Sequence, residues 1–105
     1  MGYNKLILVG YVGKDPEFRE FKDSKKVTFS LAVTEGEITN WFNIEFWNKQ
    51  AELIAQHVKK GSQLLVEGQM FFEAYEKDGV KTFYPKVKGH QFKFLDKKNN
   101  NDIPF

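Results

Sequence analysis

The chain has 105 residues, enough for one domain with a single hydrophobic core but too few for a second domain. It contains no cysteine, which excludes disulfides and thiolate metal sites, and its apolar runs are too short to span a membrane. Sixteen basic and fourteen acidic residues give a net charge of only +2, so the overall charge does not by itself indicate nucleic-acid binding. These features predict a cytoplasmic protein without metal or cofactor.

The first half of the chain predicts three β-strands. Lys5 to Val12 is rich in β-forming residues and ends at Gly13, before a turn-like segment. Lys26 to Thr34 and Thr39 to Trp47 then alternate apolar and polar residues, which is typical of strands buried on one face. The residues predicted to face the core are Val27, Phe29, Leu31, Val33, Phe42, Ile44 and Phe46.

A short helix and two longer strands complete the predicted domain. Asn48 is predicted to cap the helix, whose apolar residues repeat at helical spacing until Lys60 and Gly61. Gln63 to Tyr75 predicts a fourth strand with a bulge at Gly68, and Thr82 to Leu95 predicts a fifth. The fourth strand is predicted to direct Leu64, Val66, Met70, Phe72 and Ala74 toward the core.

The order β-β-β-α-β-β, with the helix between the third and fourth strands, indicates the fold class. It fits an all-β, five-stranded Greek-key barrel of the oligonucleotide-binding (OB) type. An open α+β sheet has the same elements and remains an alternative. The barrel domain is predicted to span residues 1–95, with residues 96–105 as a short disordered tail.

Aromatic residues on the outward strand faces are the main indication of function. Trp41 and Trp47 are six residues apart on one predicted strand, so both project from the face opposite the core. Flat rings on an exposed sheet stack against unpaired bases with little sequence preference. Phe71 and Tyr75, on the outward face of the fourth strand, extend this surface. A subunit interface is the alternative, because exposed aromatics also mark protein contacts.

Lysines flank these rings along the chain. Lys49 and Lys60 lie at the two ends of the predicted helix, and Lys86 lies on the fifth strand. Such residues predict phosphate contacts that weaken as salt rises, with an ordinary solvated surface as the alternative. Glu45 and Glu73 fall on the same faces and argue against a uniformly positive groove.

No pattern in the sequence indicates catalysis. His57 and His90 are isolated, without the Cys, Asp or Glu spacing of a metal site. The Gly10 to Gly13 segment departs from the common phosphate-binding glycine patterns. We therefore predict a binding protein rather than an enzyme.

The last five residues, Asn101 to Phe105, predict a partner-binding tail. Pro104 disfavours helix and central strand, and the polar run before it offers nothing to bury. A partner with an apolar pocket and basic side chains captures such a segment by a recurring recognition mode, while a frayed terminus is the alternative. The predicted partner-binding residues are Asp102, Ile103, Pro104 and Phe105.

Motifs spread over nearly the whole chain carry a family resemblance. They are Asn4 to Gly10, Gly13 to Glu17, Phe29 to Ala32, Trp41 to Lys49, Ala51 to Ala55, Lys60 to Gln63, Val66 to Gln69 and Asn101 to Phe105. In these motifs the chain resembles the bacterial-type single-stranded DNA-binding proteins, a family also carried by phages and plasmids.

The resemblance implies an OB fold, commonly assembled as a homotetramer with a dimer also possible. Such a protein coats unpaired DNA and recruits replication, recombination and repair proteins through its tail. Carried over by position, the base-stacking residues would be Trp41, Trp47 and Tyr75, and the phosphate contacts would be Lys5, Lys49 and Lys60.

Two departures from the family pattern affect the expected mechanism. The loop around Glu35-Gly36-Glu37 is short where family members usually have a longer basic arm. Phe71 and Glu73 stand where basic residues are common, which predicts a shallower salt dependence. A primosome-like or RNA-binding barrel and a protein-interaction module remain alternative functions.

Overall fold

The structure, a computed structural model, describes residues 2–95. The strands in this range are β1 (Leu6–Val12), β2 (Glu17–Glu20), β3 (Lys25–Glu35), β4 (Ile38–Trp47), β5 (Gln63–Lys77) and β6 (Val80–Phe94). The helix α1 (Asn48–His57) lies between β4 and β5. The five predicted strands correspond to β1, β3, β4, β5 and β6, so the all-β class and the position of the helix are confirmed.

The strands close into a ring. The sheet runs β1-β5-β6-β4-β3, and β1 pairs again with β3 through Tyr11↔Ala32 and Val12↔Leu31. The β4–β6 pair is parallel and short, whereas the other pairs are antiparallel. Closure pairs strand edges that an open sheet leaves exposed, and this ring is consistent with the predicted OB barrel.

The core fills the inside of the ring, as the alternating pattern predicts. Val27, Leu31 and Phe46 are fully buried, and Phe42 and Val33 pack against them from partly buried positions. Helix α1 adds Ala51 and Ile54 to this core. Full burial of one such large side chain contributes about 1.5–3 kcal/mol, so the buried faces of β3 and β4 stabilise the fold.

The predicted bulge in β5 is confirmed. The register with β6 shifts between Glu67 and Gly68, where Gly68 faces Gly89. A Cβ on Gly89 would lie 2.2 Å from the ring of Phe46, and one on Gly68 would lie 2.2 Å from the carbonyl oxygen of Lys88. Glycine at both positions therefore lets the two strands bend closely over the core.

The outer half of β5 does not face the core, and here the prediction is wrong. Phe72 is 63% exposed and Ala74 is also exposed, although Leu64 and Val66 on the same face are buried. Beyond Gly68, the only partner of β5 among the described strands is β6, so the two strands extend past the ring as a hairpin. Within residues 2–95, no other sheet lies opposite this part of the hairpin to cover its apolar side.

Two further details differ from the sequence prediction. Strand β2 was not predicted, because all four of its residues are exposed and lack an apolar alternation, and it forms by pairing along β3. Asn48 does not cap the helix: α1 begins at Asn48, and the Asn48 Oδ1 atom accepts a hydrogen bond from the Lys25 backbone N–H at 3.1 Å. The helix also ends at His57, before the predicted Lys60.

Candidate nucleic-acid interface

A groove crosses the outer face of the ring where β4 lies beside β6. Its centre is formed by Asn43 of β4 and Lys86 of β6, which line three adjoining hollows. One hollow, of ≈330 Å³, extends to Lys14 in the β1–β2 loop, and another, of ≈880 Å³, extends to Tyr75 and the β5–β6 hairpin. The third reaches Trp41 and Met70. We refer to these three joined hollows as the groove.

Trp41 projects from the outward face of β4 at one branch of the groove. The residue is 62% exposed, and its indole lies over Gly13, where an added Cβ would come within 2.4 Å of a ring carbon. Its cross-strand neighbour on β3 is the small residue Ala32. Gly13 and Ala32 leave room for the ring to lie along the surface, so Trp41 presents a broad aromatic face to solvent.

Trp47 occupies the same face of β4 but is more covered than Trp41. Phe21 stacks on the indole with ring centroids 6.2 Å apart and planes inclined by 28°. The Lys26 ammonium lies 5.4 Å from the centroid of the indole, whose Nε1–H donates to Glu45 Oε2 at 3.0 Å. Trp47 is therefore fixed by three neighbours and only half-exposed.

Two tyrosines of the β5–β6 hairpin lie at the other end of the groove. The rings of Tyr75 and Tyr84 meet edge to face at 5.2 Å, and both are exposed. Phe71 lies further along the same face of β5, opposite Lys86 in the register, and is half-buried. The hairpin thus brings a pair of exposed tyrosine rings to the groove, and Phe71 shares their face of the hairpin.

An acidic residue neutralises the cation at the centre of the groove. Lys86 and Glu73 form an ion pair, the Tyr75 hydroxyl donates to Glu73 Oε1 at 3.0 Å, and Lys86 Nζ donates to the Tyr75 oxygen at 3.3 Å. The hydrogen bond to Glu73 raises the pKa of Lys86. The hydrogen bonds from Lys86 and then Tyr75 lower the pKa of Glu73. Both groups are charged near neutral pH, and a phosphate that binds Lys86 competes with Glu73.

The predicted lysines occupy different surroundings. Lys49 is exposed in the first turn of α1, and Lys60 donates its backbone N–H to Asp15 Oδ1 at 2.8 Å, beside the end of the groove lined by Asp15. Lys5 pairs with Glu67 at 2.5 Å in a separate hollow that shares no lining residue with the groove. The structure therefore places the Lys60 backbone beside Asp15 at one end of the groove and leaves Lys5 apart from it.

Four residues of this interface were not predicted: Phe21, Lys26, Asn43 and Tyr84. The outward parity of Asn43 and Tyr84 on their strands was a usable signal. Phe21 had none, because it lies in the turn after the unpredicted strand β2. The predicted tail residues Asp102 to Phe105 lie outside the described residues.

Residues 2–95 contain neither a candidate metal site nor a membrane-spanning helix. Within residues 2–95, acidic and histidine side chains do not gather into any group of three that is placed to hold a metal. Over the same range, no helix has the length and apolar character that a membrane span requires.

Comparison with known proteins gives a consistent family match. Residues 3–95 match the model of the single-strand binding protein family. A single-stranded DNA-binding protein of Thermosynechococcus vestitus is 35% identical over 108 residues, covering 97% of this chain and 90% of that protein. A protein of the same name from Neisseria meningitidis is 34% identical over 112 residues, which cover 96% of this chain but 64% of the relative. The chain thus spans less than two thirds of the Neisseria protein.

Proposed function

Because the chain belongs to the single-strand binding protein family, we propose that it binds single-stranded DNA, largely without sequence specificity. The observation that carries this proposal is the clustering of the exposed rings of Trp41, Tyr75 and Tyr84 around one groove with Lys86 at its centre. Every base has a π-face, so such rings hold unpaired bases without reading them. The chain acts by binding rather than by catalysis.

Stacking supplies most of the affinity in this proposal. Each base on an aromatic ring contributes about 1–3 kcal/mol, and Trp41 with Tyr75 offers two such contacts on opposite branches of the groove. Lys49 and Lys60 are exposed and contact phosphates as the strand leaves the groove. Lys86 contributes less than a free lysine, because a phosphate must first displace Glu73. The affinity therefore falls with salt, but less steeply than in a uniformly basic groove.

The test compares the affinity of the protein for a single DNA strand, the matching duplex and an RNA strand of the same sequence. We expect the single DNA strand to bind most tightly, and Trp41→Ala to weaken it by about fivefold to hundredfold. Phe83→Ala is the matched control, since Phe83 is also exposed but lies on the hairpin face opposite Tyr84. Equal affinity for duplex would overturn the proposal, and preference for RNA would favour the RNA-binding alternative.

We also propose that the protein forms a homo-oligomer. The family resemblance favours a tetramer. Ile7, Val9 and Tyr11 form an exposed apolar row on β1. Within residues 2–95, the Leu6 to Gly10 segment pairs on one side only, with β5. An apolar face beside a free strand edge is suited to a second copy of the chain, which would bury the row and pair the edge.

We propose the domain boundaries that the sequence predicts. Residues 1–95 form the DNA-binding domain, and Asp102 to Phe105 recruit replication, recombination and repair proteins in the cytoplasm. The support for recruitment is the acidic and apolar character of this segment, which suits a basic-rimmed apolar pocket. In a binding assay with a replication or repair protein, we expect Phe105→Ala to lose the interaction and to keep the affinity for DNA.

A further inference from the structure

Phe21 is an exposed aromatic residue that does not belong to the hydrophobic core. It lies in the turn between β2 and β3 and is 48% exposed. Its one described ring contact is the stack on Trp47, at 6.2 Å between centroids. The phenyl ring thus has the indole of Trp47 on one side, and about half of the residue remains exposed.

The turn holds Phe21 in place. The Phe21 backbone N–H donates to the Ser24 carbonyl oxygen at 2.7 Å, which closes the turn. The Lys25 N–H donates to Asn48 Oδ1, and the Lys25 ammonium pairs with Glu52, so the turn is tied to helix α1. A ring fixed before binding loses little conformational entropy when a ligand stacks on it.

A lysine completes this corner of the surface. The Lys26 ammonium lies 5.9 Å from the Phe21 centroid and 5.4 Å from the Trp47 centroid. Within residues 2–95, Lys26 forms no ion pair, in contrast to Lys86. The charge of Lys26 also lowers the pKa of Glu73, after the larger effect of the Lys86 hydrogen bond.

We propose that Phe21 is an additional base-stacking residue: an unpaired base stacks on its open face, and a flanking phosphate binds Lys26. Trp47 acts beneath Phe21 as a support that holds the ring, rather than as the surface that meets the base. This inference rests on the proposed function and adds a stacking position that the pattern of the strands does not predict. It also extends the path of the DNA from Trp41 along β4 to the β2–β3 turn.

The test measures the affinity of the full chain for a single DNA strand in two Phe21 variants. Phe21→Ala removes the ring, and Phe21→Leu keeps an apolar side chain without a π-face. We expect both to weaken binding by about fivefold to thirtyfold, the lower part of the range for one stacked base. Phe83→Ala, which removes a ring that is 58% exposed on the far face of the hairpin, should leave the affinity unchanged. Circular dichroism and the melting temperature verify that each variant is folded.

The alternative is that Phe21 covers Trp47 and does not contact a base. If Phe21 covers Trp47 as a lid, Phe21→Ala would expose the indole, and the affinity would rise or stay constant; either result overturns the proposal. The phosphate contact is tested separately, because Lys26→Gln should reduce the slope of log K against log salt by about 0.7. An unchanged slope contradicts it. If the unaltered protein bound no single-stranded DNA, the proposed function would fail and this inference with it. If it bound single-stranded DNA and neither Phe21 variant weakened the binding, only this inference would be rejected.

Discussion

Glu73 and Lys86 form an ion pair at the centre of the groove, and the Tyr75 hydroxyl is hydrogen-bonded to both. The pair joins neighbouring strands: Glu73 belongs to β5, and Lys86 belongs to β6. A phosphate that approaches Lys86 must therefore replace a carboxylate that is already in contact. If DNA binds in the groove as proposed, Glu73 competes with its phosphate for Lys86.

Removal of that competitor should strengthen binding. In Glu73→Gln the Lys86 ammonium is free to contact phosphate, so we expect tighter binding of single-stranded DNA at low salt. The slope of log K against log salt should become steeper by about 0.7 for one additional phosphate contact. Titrations at several salt concentrations measure both quantities.

The matched control for this change is Glu76→Gln. It alters the net charge by the same amount, but Glu76 lies on the other face of the hairpin and forms no ion pair within the described residues. A similar steepening in Glu76→Gln would show that the effect comes from net charge, and would contradict the role of Glu73.

The same ion pair predicts how stability depends on pH. The pKa of Glu73 is lowered from its ordinary value of 4.5, chiefly by the Lys86 hydrogen bond, so the pair stabilises the fold above that pH. This contribution is lost as the pH falls through the lowered pKa, where the carboxylate takes up a proton. We expect wild type to unfold at higher urea than Glu73→Gln at neutral pH, and the two midpoints to converge below pH 4.5. A difference that is constant across this range would rule out the ion pair as its cause.

Gly13 is predicted to control the position of Trp41. An added Cβ at Gly13 would lie 2.4 Å from the indole, so Gly13→Ala must displace the ring from its place over the strand. Because Trp41 is largely exposed, we expect little loss of thermal stability but a roughly fivefold weaker affinity, equivalent to about 1 kcal/mol of stacking. Gly2→Ala is the control, since its Cβ would meet nothing within 4 Å. Unchanged DNA affinity in Gly13→Ala would show that the position of Trp41 does not matter.

The exposed row on β1 predicts the site of self-association. Val9→Glu places a charge in the middle of this row, where burial against a second copy would leave the charge unpaired. We expect sedimentation velocity to show a smaller species, with an unchanged circular dichroism spectrum. Phe72→Glu places the same charge on another exposed apolar residue, outside the row, and should leave the mass unaltered. An unchanged mass for Val9→Glu would place the subunit contact elsewhere.

The fold was predictable where local patterns decide it. The alternation around Phe29 and Ile44 defines two buried strand faces, and Gly68 marks the bulge, because each depends on neighbouring residues in one strand. Phe72 carries the same alternating signal as Leu64, but the hairpin extends beyond the ring and leaves it uncovered. Periodicity identifies the side of a strand on which a residue lies, whereas burial also requires something opposite that side.

The candidate site was predictable only in part for a similar reason. The outward positions of Trp41 and Tyr75 follow from strand parity. The stack of Phe21 on Trp47 joins residues 26 positions apart through an unpredicted strand and turn. The Glu73–Lys86 pair depends on the register of β5 with β6 after the bulge, which the sequence of either strand does not specify.

The fluorescence of each tryptophan alone shows whether unpaired bases stack on the aromatic groove. Trp47→Phe leaves Trp41 as the sole indole, and Trp41→Phe leaves Trp47. We expect oligo(dT) to quench Trp41 strongly and the half-covered Trp47 weakly, while a duplex of equal length quenches neither. If Trp41 showed no quenching, or the same response to duplex, its ring would not meet unpaired bases, which would contradict stacking in the groove.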